Sequence, residues 1–264
     1  MLIVSIIVFL LLLLISAGPG FAILFYVSKH DDSNLVKFFV VGFAGWLITQ
    51  ILVYVPSILI QNLFIRSKYD LEQVANDPAL KEEVTAFLAH NIYLIMVLAA
   101  IFAITEQLIR FYFVSKSESI KHRENVLISF GVGWGLAQTI ILYTPDLLSA
   151  LFNAPQLLNF SGELFLGALE KSFYVILSVF LSVLVKDAIT KPQPVLFIEA
   201  INWEFFYYFI PFLVAELIFP GKEGIASSLV INLSFLLILI LMFYVRKDSF
   251  LNVINELKRK TIND

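Results

Sequence analysis

Glu106 and Arg110 stand one helical turn apart in the middle of an apolar run from Asn91 to Val114. A run of that length crosses the hydrocarbon core of a bilayer. A charged side chain near the bilayer centre costs roughly 2.5–3.5 kcal/mol on insertion scales, so it faces a protein interior or a water-filled cavity and marks a functional site. At i,i+4 spacing the carboxylate and guanidinium neutralise each other along one helix face. Two chemistries fit. Glu106 could act as a base beside a fixed positive charge, or the pair could be a structural lock between helices.

Other polar residues fall within apolar runs: Gln50, Gln107, Gln138, Glu163, Glu170, Lys171, Ser178, Ser182, Glu199, Asn202, Glu204 and Glu216. Glu163 and Glu170 are seven apart and share a helix face, and Glu163 and Glu216 lie near span ends. The deeper residues are expected to gather with the first pair in one intramembrane polar cluster of Glu106, Arg110, Gln138, Glu170, Lys171, Ser178, Asn202 and Glu204. No metal centre is expected. A protein zinc site takes at least three His, Cys or carboxylate ligands, and the chain has no cysteine. Of its three histidines, His30 and His122 fall in loops and His90 at the outer end of a span. A di-aspartyl protease needs two intramembrane aspartates and a retinal protein needs a lysine in the seventh span; both are missing. No cofactor motif is present: there is no P-loop, dinucleotide fingerprint or Gly-x-Ser-x-Gly elbow.

These residues are carried by a chain of 264 residues that is 59% hydrophobic and 15% charged, with a mean hydropathy of +0.88. Soluble domains hold about 45–50% apolar and 25% charged residues. The reading is an all-α polytopic membrane protein of the cell membrane, with lipid as its solvent. Its net charge of −3 offers nothing to nucleic acid. Seven transmembrane helices are predicted, over Leu2–Val27, Val36–Ile65, Phe87–Val114, Asn125–Tyr143, Gly162–Val185, Val195–Phe219 and Ile225–Val245. The first has no basic n-region and stays apolar past Ser16-Ala17-Gly18, so it reads as an anchor, not a cleaved signal. Lys and Arg sort strongly by side. Lys29, Lys37, Lys116, Lys121, Arg123, Lys186, Lys191, Arg246, Lys247, Lys258, Arg259 and Lys260 face Arg66, Lys68, Lys81 and Lys222. Twelve against four places the N-terminus outside and the C-terminus in the cytoplasm.

The seven-helix domain covers 1–247, and residues 248–264 form a short basic tail. In that tail Phe250, Ile254 and Leu257 recur at helical spacing beside Lys258-Arg259-Lys260, the pattern of an amphipathic helix on an anionic inner leaflet. Asp77-Pro78 starts a short outer helix before the third span, and Pro145 to Phe160 reads as an outer surface loop. Gly131, Gly133 and Gly135 give the fourth span small-xxx-small patterns, which let backbones approach closely, within this chain or with a partner helix. Gly18-Pro19-Gly20 predicts a kink or local opening in the first span. No internal repeat is present, which weakens an inverted-repeat transporter.

An ordered set of segments then resembles two related families. Ser16 to Leu24, Val41 to Leu47, Glu106 to Phe113, Ser129 to Gly135 and Asp187-Ala188 look like landmarks of the Aph subunit of gamma-secretase. They also resemble the YhfC family of proposed intramembrane metalloproteases, related to the CPBP (CAAX-processing) superfamily. The departures matter more. YhfC-like chains carry Gly-His-Gly-Gly-x-Glu where this chain has Gly133-Trp134-Gly135-Leu136-Ala137-Gln138. Their fifth-span Glu-Arg and following histidine correspond to Glu170-Lys171 and Ser178, and their sixth-span histidine falls near Asn202 or Trp203. The tandem glutamate of the CPBP motif is reduced to Thr105-Glu106. Every histidine that could activate water is replaced while the Glu/Arg pair is kept. The Aph subunit, which retains two intramembrane histidines that this chain lacks, is likewise a protease-like fold without catalysis. The resemblance thus implies a degenerate scaffold or assembly subunit for intramembrane proteolysis, whose partner is a presenilin-like protease or another helix bundle. The alternatives are an active peptidase with Glu106 as base, and a small-molecule or ion pathway lined by Glu106, Arg110, Glu170 and Glu204.

Overall fold

The computed structural model describes residues 2–29, 35–153, 162–191, 193–222 and 224–263, all helix or short connection with no strand among them. Twelve α-helices are described: α1 Leu2–Ser28, α2 Leu35–Arg66, α3 Leu71–Asn76, α4 Pro78–His90, α5 Ile92–Lys116, α6 Glu118–His122, α7 Glu124–Gln138, α8 Thr144–Asn153, α9 Gly162–Thr190, α10 Pro194–Ile218, α11 Ile225–Val245 and α12 Lys247–Asn263. One π-helical turn, Thr139–Tyr143, joins α7 to α8. Seven helices are long and apolar enough to cross a membrane: α1, α2, α5, the run from α7 through α8, α9, α10 and α11.

Burial sets one span apart from the others. In the run from Glu124 to Phe152, at a hydropathy of 1.6, 83% of the membrane-length window is buried, against 17% for α1 at 2.6 and 22% for α10 at 1.3. In lipid the greasiest surface faces outward, and a helix wrapped by protein can be small and less apolar. Helix α7 is that wrapped helix, packed against α2, α9 and α1. Its glycines allow this. A Cβ on Gly133 would stand 2.0 Å from the Phe39 carbonyl oxygen of α2, and one on Gly42 would stand 2.0 Å from the Phe130 carbonyl oxygen of α7. On the opposite side, a Cβ on Gly131 would reach the Val179 Cα at 2.8 Å and one on Gly135 the Val175 Cα at 2.6 Å, both on α9. These glycine faces are therefore filled by the chain's own helices, the first of the two readings that the pattern of Gly131 and Gly135 left open.

Several predicted boundaries move. The third span begins at Ile92, not Phe87, because Asn91 ends α4 and caps α5, its Oδ1 accepting from the Leu94 N–H at 3.0 Å. Helix α4 does start at Asp77-Pro78, with Asp77 Oδ1 accepting from the Ala79 N–H at 2.9 Å. The expected surface loop from Pro145 is instead helix as far as Asn153, and residues 154–161 lie outside the described residues. Pro145 cannot donate and its ring crowds the carbonyl one turn back; the wide turn directly before it accommodates both effects. The first span runs as one helix through Pro19, without the predicted opening.

The tail is the largest revision. Helix α12 forms, and part of its apolar surface packs on the bundle while Leu251 and Ile254 stay exposed. Phe250 and Val253 are buried in the main core, and the Phe250 ring sits 4.0 Å from that of Phe180 on α9. Ser249 Oγ donates to Asp187 Oδ2 at 2.9 Å, a second tie to α9. Leu257 and the Lys258-Arg259-Lys260 side chains lie outside the described residues.

Three variants test this packing. Gly133→Ala should destabilise by about 1–3 kcal/mol or more through overpacking, read as a lowered melting midpoint in detergent. Gly18→Ala, whose added carbon would meet only Leu14 of its own helix, should leave the midpoint unchanged. Phe250→Ala should cost the tail's docking about 3–5 kcal/mol, the range for a buried Phe. Limited proteolysis should then cut residues 247–263 at least tenfold faster; unchanged cleavage would mean that the helix does not rest on α9.

Candidate functional site

Three helices each contribute polar residues four apart, and a fourth and fifth complete the site. Helix α5 supplies Glu106, Gln107 and Arg110; α9 supplies Tyr174 and Ser178; α10 supplies Glu204 and Tyr208. Trp134 enters from α7 and Gln50 from α2. The spacing of four places each pair on one helix face. Gly45 makes the space for Trp134, since a Cβ there would lie 2.6 Å from the indole ring.

Glu106 is the hub. Its Oε2 accepts from the Tyr174 hydroxyl at 2.6 Å and from Trp134 Nε1 at 3.2 Å. Its Oε1 accepts from the Tyr208 hydroxyl at 3.1 Å and, at a long 3.5 Å, from Gln50 Nε2. The Tyr174 contact has the length of a charge-assisted O–H···O⁻ bond. Tyr174 and Tyr208 also touch each other, hydroxyl to hydroxyl, at 3.2 Å.

Arg110 lies between two carboxylates, its Nη2 4.0 Å from Glu106 Oε2 and 3.9 Å from Glu204 Oε1. The same nitrogen donates to Ser178 Oγ at 3.4 Å, and the guanidinium carbon stands 4.6 Å over the Trp134 ring. Neither carboxylate makes a bidentate fork with Arg110. The cation is held by field and by the indole face, an arrangement worth about 2 kcal/mol or more when desolvated. Glu204 Oε2 accepts from Gln107 Nε2 at 2.6 Å. Side chains of Glu106, Arg110 and Glu204 are 0% exposed, so two carboxylates and one guanidinium share a site without solvent contact.

Four residues of the predicted cluster thus come together: Glu106, Arg110, Ser178 and Glu204. The others sit elsewhere. Glu170 and Lys171 form a half-buried pair with each other at 2.7 Å, and Asn202 is exposed on α10. Gln138 is buried near the end of α7, with its Oε1 finding no protein partner. Tyr174 and Tyr208 were not foreseen, although Tyr208 stands four residues after Glu204 and Tyr174 four before Ser178, the spacing that joins them. Among the described residues no three His, Cys, Asp or Glu side chains converge as a metal site requires. His122 pairs with Glu118 at 3.0 Å, His90 with Glu216 at 3.0 Å, and His30 lies outside the described residues.

Both Arg246 and Glu199 belong to a separate group at the opposite end from His90. Arg246 Nε donates to Glu199 Oε1 at 2.7 Å and Nη2 to Oε2, a bidentate pair joined by Trp203 Nε1 at 3.2 Å. The carboxylate beside it raises the already high pKa of Arg246. Lys186 pairs with Glu124 at the same end.

Loss of partners at the hub should rank by charge. Arg110→Ala leaves two carboxylates buried without their cation and should cost about 3–5 kcal/mol or more. Glu204→Gln keeps the Glu106–Arg110 pair and should cost less. Tyr174→Phe removes one bond to a buried charge, about 1.5–3 kcal/mol. Chemical or thermal denaturation in detergent gives the order; equal loss in all three would show that charge balance does not govern the cluster.

Comparison of the chain with protein-family models, with curated proteins and with solved structures finds no match.

Proposed function

We propose that the chain is a YhfC/Aph-like membrane scaffold without catalysis, which serves as an assembly subunit for intramembrane proteolysis. The supporting observation is the closure of Glu106. A general base needs a lone pair open to the proton that it removes. Here both carboxylate oxygens accept from aromatic and amide donors, and the side chain is 0% exposed. Of the positions at which YhfC-like chains carry histidine, Trp134 and Ser178 contact the ion pair, while Asn202 is exposed and Trp203 bonds Glu199. The proposal keeps the N-terminus outside, the C-terminus cytoplasmic and the chain in the cell membrane, on the distribution of Lys and Arg.

A scaffold holds a partner helix, and close helix approach in lipid uses small residues. With Gly131 and Gly135 occupied from within, Gly18 on the lightly buried α1 is the remaining position, its Cβ direction meeting only Leu14 of the same helix. In a gentle-detergent pull-down, another helical membrane protein should co-purify in fixed ratio. Gly18→Leu should weaken that complex while leaving the melting midpoint unchanged. The competing peptidase reading wins if Glu106→Gln melts like the wild type yet abolishes cleavage of a membrane substrate.

A further inference from the structure

A cavity of about 550 Å³ opens at the His90 end of the bundle, where α5, α10 and α11 meet the start of α9. That volume falls within the range of small-ligand pockets. Its residues come from the end of α4, from four spans and from the connection before α11, so the cavity lies at the level where lipid headgroups meet the hydrocarbon. Phe212 and Ile231, deeper along α10 and α11, give it an apolar floor. The rim carries both charges: the carboxylates of Glu163 and Glu216, and the Lys222 ammonium with the Ser227 and Ser228 hydroxyls.

Glu216 is fixed in place. Its Oε2 meets His90 Nδ1 at 3.0 Å and its Oε1 accepts from the Gly221 N–H at 3.0 Å. Each carboxylate oxygen has a second lone pair, so an ammonium can still bond to this oriented group. On the same rim α11 begins after Gly224 with no side-chain cap. First-turn N–H groups and the helix dipole favour an anion there, beside the Lys222 ammonium and the Ser227 and Ser228 hydroxyls. An apolar floor beneath a rim that carries carboxylates and anion-binding groups side by side describes an amphiphile with a zwitterionic head.

We infer that this cavity binds a phosphoethanolamine lipid headgroup, with its ammonium on Glu163 and Glu216 and its phosphodiester on Lys222 and the first turn of α11. The inference is independent of the scaffold reading. A primary ammonium donates N–H bonds to the carboxylates, whereas the quaternary ammonium of phosphocholine has none to give.

The test uses the full chain in detergent, titrated with dihexanoyl phosphatidylethanolamine and with the matching phosphatidylcholine, and bound lipid is read by native mass spectrometry. The ethanolamine lipid should bind about tenfold tighter, the scale of a hydrogen bond to a charged group. Glu163→Gln, at an exposed position that leaves the fold intact, should erase most of that preference, and Glu216→Gln should do the same. Lys222→Met should weaken both lipids alike. Equal binding of the two lipids by the wild type, or a preference unchanged in both glutamate variants, would overturn the inference. Free phosphoethanolamine binding as tightly as the lipid would overturn the amphiphile and assign the cavity to a soluble ligand.

Discussion

Everything at the centre of this molecule depends on how closely α2 can approach α7. Two glycines face two carbonyl oxygens across that interface, Gly133 against Phe39 and Gly42 against Phe130, each with 2.0 Å where a methyl would have to sit. Lipid gives no hydrophobic drive for such contact, so the contact must come from backbone packing itself. The result is geometric. With α2 drawn in and Gly45 vacating the space for an indole, Gln50 and Trp134 both arrive on the carboxylate of α5. Widening the interface by one methyl would take two donors off a buried charge.

The hub solves a dielectric problem with neutral groups. Buried ion pairs commonly fail to recover their desolvation cost unless their remaining lone pairs are satisfied. The Glu106 to Arg110 separation of 4.0 Å is too long to do that alone. Two phenols and an indole do it for Glu106, and the same indole turns its face to the guanidinium, whose Nε and Nη1 have no hydrogen-bond partner. Trp134 therefore serves both charges at once, edge to the anion and face to the cation. That dual use explains why a bulky ring sits at a position flanked by two glycines.

Much of this was legible in the chain, and the unread portions have physical causes. The spans followed from hydropathy alone, and Glu106, Arg110, Ser178 and Glu204 stood out as polar residues in apolar runs. Tyr174 and Tyr208 did not, because a tyrosine in a membrane helix scores as apolar and its hydroxyl declares itself only when a partner is near. Asn202 and Glu204 differ by two positions, which is 200° around a helix. Without the neighbours of α10, nothing indicated which of them faced inward. The amphipathic tail had the right pattern, but the pattern alone did not say that Phe250 packs on Phe180, since Phe250 can bury itself equally well against lipid. Gly131 and Gly135 were equally ambiguous: a small-residue face specifies a close neighbour, and does not specify whose helix it is.

The order of the hub's residues along the chain bears on biogenesis. Of the donors that surround Glu106, only Gln50 precedes it; Trp134, Tyr174 and Tyr208 are synthesised later. Helix α5 must enter the bilayer before most of its own solvation exists. During that interval the same-helix cation at Arg110 is its one available counter-charge, and i,i+4 spacing needs no tertiary fold. The pair is thus the travelling form of the site, a temporary neutralisation that carries a carboxylate into the membrane until the aromatic helices close around it.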